Sequence, residues 1–140
     1  MLSNNLVLID TSVWIPFLRK SPPPPVKKEV DHLLAENRVA IFPMIRLELL
    51  GGTKSTSDFA RLKSRLDALH QIPTDETSWV MAAELAFKLR QLGKVIPYTD
   101  ILIGSAAIVA DLLLLHADRH FDLMAEDTDL RVRSLGSATN

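Results

Sequence analysis

A chain of 140 residues with 47% hydrophobic side chains and a formal charge of −1 has room for one compact domain, since proteins near this size bury about two-thirds of the surface their unfolded chains expose. It holds no cysteine, which excludes a disulfide framework, a thiolate metal site and a cysteine nucleophile, and suits a reducing cytoplasm. No apolar run approaches the roughly 18 residues of a membrane span, and no basic stretch followed by a long apolar segment opens the chain. A soluble, unexported, cytoplasmic protein folded as a single domain over residues 1–140 is therefore expected.

In chain order, Leu6 to Ile9 is a short β-branched-rich run that reads as a buried strand, and it stops on Asp10. A helix begins near Ser12 and carries Trp14, Phe17 and Leu18, which read as core or as a dimer surface. The run "SPPPP" from Ser21 to Pro25 reads as a stiff loop, because successive prolines lack amide donors. Val26 to Asn37 places Val30, Leu33 and Leu34 on one helical face, and Val39 to Phe42 reads as a second strand. Pro43 suits the first turn of a helix that takes in "MIRLELLGG", with Gly51 and Gly52 expected to end it in the left-handed region.

Ser57 to Leu69 and Ser78 to Leu92 are two further amphipathic helices, the second stopped by Gly93. "PYTD" opens a helix that is apolar on all sides through "ILIGSAAIVA" and is therefore buried. "LLLLH" gives a strand ending at His116, "DRHFDLMA" a short helix and "LRVRSL" a last strand. Strands alternating with helices predict an α/β fold, a three-layer α/β/α sandwich around a mainly parallel sheet.

The 17 acids and 16 bases nearly cancel, but they are unevenly spread. Lys54, Arg61, Lys63 and Arg65 gather around one helix, while Asp118, Asp122, Glu126, Asp127 and Asp129 crowd the other end; each group reads either as a solvated surface or, for the basic one, as a nucleic-acid contact.

Four acids stand where a parallel sheet brings its chemistry together. Asp10 follows the first strand, Asp118 follows "LLLLH", Asp100 opens the buried helix and Glu48 lies on the helix after the second strand. With carboxylates about 6 Å apart and an effective dielectric of about 20, each pair repels by roughly 3 kcal/mol, so such a cluster needs a cation or protons. Magnesium takes oxygen ligands, keeps waters and accepts substrate phosphate, which points to metal-assisted phosphodiester hydrolysis. Each acid also has a plainer use. Asp10 and Asp100 could cap helices, Glu48 could pair with Arg46 on a surface, and Asp118 could start a turn.

"LIDTSVWI", "RLELLGG", "PYTDILIGSAA" and "HADRHFDLMA", in this order, resemble the PIN-domain ribonucleases, and among them the VapC toxins of bacterial toxin-antitoxin pairs. The resemblance covers nearly the whole chain. It implies a magnesium- or manganese-dependent endoribonuclease with Asp10, Glu48, Asp100 and Asp118 as its catalytic and metal-binding acids. It also implies an RNA substrate, a small antitoxin that covers the acidic cleft, and a homodimer, with which the apolar faces near Trp14 and Leu33 are compatible. Arg19, Lys20, Arg46, Lys54 and Arg119 are candidates for a surface that holds the RNA backbone.

Two positions depart from the family pattern. His116 stands where a threonine or serine is usual, and His120 where a further aspartate is usual, and imidazole is a poorer partner for magnesium than for manganese. His116 reads first as a strand-end residue, and His120 equally as a turn residue or a site residue. Thr11 and Ser12 could support Asp10 from behind. His32 and His70 are isolated and read as surface or capped residues. Two other functions remain open. One is a cleavage-silent module of the same fold that binds RNA or protein. The other is a phosphotransfer enzyme with Asp10 as nucleophile, for which the expected neighbouring acid is missing. No dinucleotide, phosphate-loop or serine-elbow motif is present.

Overall fold

In a computed structural model that describes residues 5–136, twelve elements alternate along the chain. They are β1 (Val7–Ile9), α1 (Thr11–Phe17), α2 (Pro24–Ala35), β2 (Val39–Ile41), α3 (Pro43–Gly51), α4 (Thr56–Asp67), β3 (His70–Gln71), α5 (Glu76–Gln91), α6 (Tyr98–Ala110), β4 (Leu113–His116), α7 (Arg119–Ala125) and β5 (Val132–Ser134). The two ends of the domain expected over residues 1–140 lie outside the described residues.

The five strands form one sheet in the order β3-β2-β1-β4-β5, and every pairing is parallel. Val7, Leu8 and Ile9 are all buried, as are Val39, Ala40 and Ile41. Because successive side chains of a strand point to opposite faces, uninterrupted burial means that both faces of the sheet are covered by helices. This is the three-layer α/β arrangement the sequence predicts.

The topology also fixes where a site can form. From β1 the chain moves outward through β2 to β3, then returns to place β4 on the other side of β1. Such a reversal leaves a crevice at the carboxyl ends of the two central strands. The β1–β4 ladder runs to its very end, where the Asp10 amide donates to the Leu115 carbonyl at 2.9 Å.

Several boundaries differ from the sequence reading. α2 already includes Pro24 and Pro25, because a helix's first turn needs no amide donors. α3 ends at Gly52 with φ −88°, so that stop is not left-handed, whereas Gly93 after α5 has φ +79°. α4 stops at Asp67 and is followed by β3, a strand of two residues. α5 starts at Glu76, where the Asp75 carboxylate accepts from the Ser78 amide at 3.0 Å. Trp14 and Leu33 are both buried in the core, Trp14 edge-on to Phe17, so neither marks a dimer face.

Close packing of α6 on α7 depends on Gly104. A Cβ at that position would stand 2.5 Å from Cε of Met124, which is itself fully buried. Among the described residues no helix is long and apolar enough to cross a membrane.

Leu115 is fully enclosed at the centre of the sheet. We expect Leu115→Ala to lower the unfolding free energy by about 2–5 kcal/mol in a urea titration. Val95, which is 88% exposed, should tolerate the same truncation within about 0.5 kcal/mol.

Candidate metal centre at the carboxyl edge of the sheet

Asp10 emerges from β1 with only 4% of its surface exposed. Its side chain caps α1: Oδ2 accepts from the Ser12 amide at 3.0 Å and from the Ser12 hydroxyl at 2.7 Å. The same Ser12 oxygen accepts from the Ala117 amide at 2.9 Å, just beyond β4. One hydroxyl thus joins the two strand ends that flank the crevice. Burial pushes the Asp10 carboxyl above its ordinary value, the Ser12 hydrogen bonds oppose that rise, and the nearby Asp118 charge adds to it.

Asp118 follows β4 and caps α7, accepting the His120 amide on Oδ1 at 3.0 Å. Its backbone amide donates to Nδ1 of His116 at 3.1 Å. His116 is fully buried, and with Nδ1 accepting, its Nε2 carries the hydrogen toward the Asp122 carboxylate 3.1 Å away. Both nitrogens of His116 are therefore engaged in holding the start of α7, as befits a strand-end residue.

Asp100 lies in the first turn of α6 but does not cap it; Pro97 holds that position with no side-chain hydrogen bond. Its carboxyl is pushed up to about 7, first by burial, then by repulsion from Asp118 and Asp10, with His120 opposing the shift. Nδ1 of His120 stands 3.3 Å from Oδ2 of Asp100 and 3.2 Å from Oδ1 of Asp118. Donor atoms of Asp100, Asp118 and His120 all fall within 4.8 Å of one another, the spacing of ligands around a single ion.

Of the four acids singled out in the sequence, Asp100 and Asp118 meet in this cluster. Asp10 touches it through its field, since its charge raises Asp100. Glu48 joins from the side: its Oε1 accepts from the Thr11 hydroxyl at 2.6 Å, one residue beyond Asp10. Glu48 is not paired with Arg46, which instead bonds Asp67 at 2.8 Å on α4. The third member of the cluster, His120, is the residue that sequence reasoning left undecided. Its only signal was its place two residues after Asp118.

The donor set fits a divalent cation. Three acids crowd one crevice, Asp100 resists ionisation, and Nδ1 of His120 is buried beside two carboxylates without an aligned hydrogen bond. Asp100 and Asp118 could ligate such an ion directly, with Asp10 and Glu48 supplying further oxygens from the crevice wall.

Because folding raises the Asp100 value from 3.8 to about 7, the folded state favours the protonated acid. That contribution is complete below the unfolded value and is lost as pH rises through the folded one. In metal-free protein, Asp100→Asn should therefore match wild type in thermal midpoint near about pH 4 and exceed it near about pH 8. Thermal scans across that range with a chelator present check this, and adding divalent cation at neutral pH should raise the wild-type midpoint more than that of the variant.

Comparison with known proteins adds the family. The PIN domain family matches residues 7–127. Ribonuclease VapC11 of Mycobacterium tuberculosis is 29% identical over 133 residues, covering 92% of this chain and 98% of that protein. The structure of VapBC2 from Rickettsia felis, bound to a DNA fragment from its promoter, superposes with a TM-score of 0.76 at 22% identity, covering 92% and 98% of the two chains. VapBC-5 from Mycobacterium tuberculosis, described as a member of the VapBC family of toxin-antitoxin systems, gives 0.65 at 20% identity over 94% and 99%. With the motif-bearing strand ends, strands β1 to β4 of the parallel sheet and the acidic crevice inside the matched span, this chain belongs to the PIN-domain family.

Proposed function

We propose that this chain is a divalent-metal-dependent endoribonuclease, the toxin of a VapBC-type toxin-antitoxin pair, acting in the cytoplasm. The observation that carries the reading is the acidic crevice of Asp10, Asp100 and Asp118, set at the switch point of a chain that aligns nearly end to end with a named ribonuclease.

Magnesium or manganese, when bound, neutralises the clustered charge and polarises the phosphoryl group under attack. The remaining work falls to the chain's own residues. Asp100 and Asp118 would hold the cation directly. Asp10, immobilised by Ser12, supplies negative charge from the inner wall. Glu48 is tethered to Thr11 through one carboxylate oxygen, which leaves the other to orient the attacking water and accept its proton.

A groove of about 580 Å³ runs from Glu48 between α1, α3 and α4, with Arg19, Lys54, Arg61 and Arg65 along its walls. It suits the phosphate backbone of RNA, or the acidic or mixed-charge tail of an antitoxin that blocks the crevice. Arg61 is partnered by Asp58, whereas among the described residues Arg19, Lys54 and Arg65 have no carboxylate partner. Of the basic residues suggested by sequence, Lys20 and Arg119 lie outside the groove lining and Arg46 is committed to Asp67.

A second, apolar groove of about 630 Å³ lies along α5 and α6, lined by Met44, Trp79, Phe87 and Tyr98. Phe87 is 69% and Tyr98 72% exposed. Exposed apolar surface of this kind marks protein contact, and a second copy of the chain is the occupant proposed here.

Purified protein should cut single-stranded RNA with magnesium or manganese and stop when the ion is chelated. Asp100→Asn should lower the cleavage rate by at least about 100-fold with unchanged circular dichroism. Cleavage by wild type that survives chelation would remove the metal from the reaction, and RNA binding with no cleavage under either ion would instead favour the silent module. Sedimentation gives an independent check of the second groove: Phe87→Glu should move the protein from dimer toward monomer.

A further inference from the structure

His120 lies in the first turn of α7, two residues after Asp118, and its surroundings are those of a ligand. The first turn of α7 fixes Asp118 by its Oδ1 on the His120 amide at 3.0 Å, so the Asp118 carboxylate and the His120 ring are set by a single cap. Nδ1 then faces two carboxylate oxygens, at 3.2 Å and 3.3 Å, that belong to different helices. It is buried, and its approach to neither oxygen is in line for a hydrogen bond.

A ring nitrogen in that position has two states. With the hydrogen on Nε2, the Nδ1 lone pair faces carboxylate oxygens of Asp118 and Asp100, which repel it whenever both acids are ionised unless a cation lies between them. With the hydrogen on Nδ1, a buried donor is left unaligned. Coordination resolves both. His116 provides the contrast within the same segment: it too is an imidazole beside Asp118, but the Asp118 amide and the Asp122 carboxylate already occupy its two nitrogens.

We infer that His120 ligates the ion through Nδ1, so that the centre is a mixed site of carboxylates and one imidazole that favours a first-row transition ion, Mn2+ in particular, over Mg2+. The inference rests on the metal site proposed above. Its chemistry is that of donor type and charge. Replacing an anionic oxygen by a neutral nitrogen lowers the negative charge of the site by one, which weakens the hold on a hard ion that depends on oxygen and charge. The nitrogen itself is a better donor to transition ions than to magnesium.

The test is made on the full chain, stripped of metal and loaded with Mn2+ at one equivalent, by electron spin echo spectroscopy together with calorimetric titration of Mn2+ and Mg2+. Wild type should show nuclear modulation from a directly bound 14N. In His120→Asp that modulation should vanish while Mn2+ still binds, and the ratio of Mn2+ to Mg2+ affinity should fall by roughly tenfold or more, the scale on which ligand-environment changes act. Wild-type Mn2+ that binds in an Asp100-dependent manner but lacks 14N modulation would overturn the role of His120 and leave the carboxylate site standing. So would an unchanged affinity ratio in His120→Asp. Failure of wild type to bind Mn2+ at all, or binding unaffected by Asp100→Asn and Asp118→Asn together, would overturn the metal site and this inference with it.

Discussion

A buried carboxylate between two parallel strands is the constraint around which this molecule is arranged. Asp10 cannot lie at 4% exposure without partners, because an isolated buried charge costs several kcal/mol. The fold answers with Ser12, whose amide and hydroxyl both reach Asp10 and whose oxygen also takes the Ala117 amide. The interaction that tolerates the charge is thus also the one that ties β1 to the exit of β4. Strand register, helix start and site electrostatics share one hydroxyl.

Capping and chemistry are not rival uses for these acids. Asp10 and Asp118 both begin helices, and each cap immobilises one oxygen of its carboxylate; on Asp118 the capping Oδ1 is also the oxygen 3.2 Å from Nδ1 of His120. Side-chain entropy that a flexible acid would lose on binding an ion has already been lost in folding. Asp100 is held differently. It has no cap hydrogen bond, and it answers the crowding by holding its proton up to about pH 7 unless a cation displaces it. The crevice therefore combines rigid acids with one whose charge depends on what else is present.

Much of this was legible before folding. The runs around Ile9, Ile41 and Leu115 announce buried parallel strands, and an acid at the end of such a strand points to the carboxyl edge. What could not be read depends on contacts between distant elements. β3 has two residues, too few for any periodicity to show. The Thr11–Glu48 hydrogen bond spans 37 positions and exists only because α1 lies against α3. His120 meets Asp100 because α7 packs on α6, elements too far apart in the chain for any local pattern to show. The same limit explains Trp14 and Leu33, whose apolar faces are equally suited to a core or an interface until the neighbouring elements are placed.

The margins of the sheet carry a consequence of their own. β3 offers only two residues of backbone, and β5 presents Arg133, clamped on both guanidinium nitrogens by Glu29 at 2.7 and 2.8 Å. Neither border gives a long, uncharged row of amides and carbonyls for another chain to extend, which is how globular proteins resist fibrillar growth. Strand addition is thereby disfavoured at both borders, and the helical surfaces are left as the faces by which another chain can meet this one.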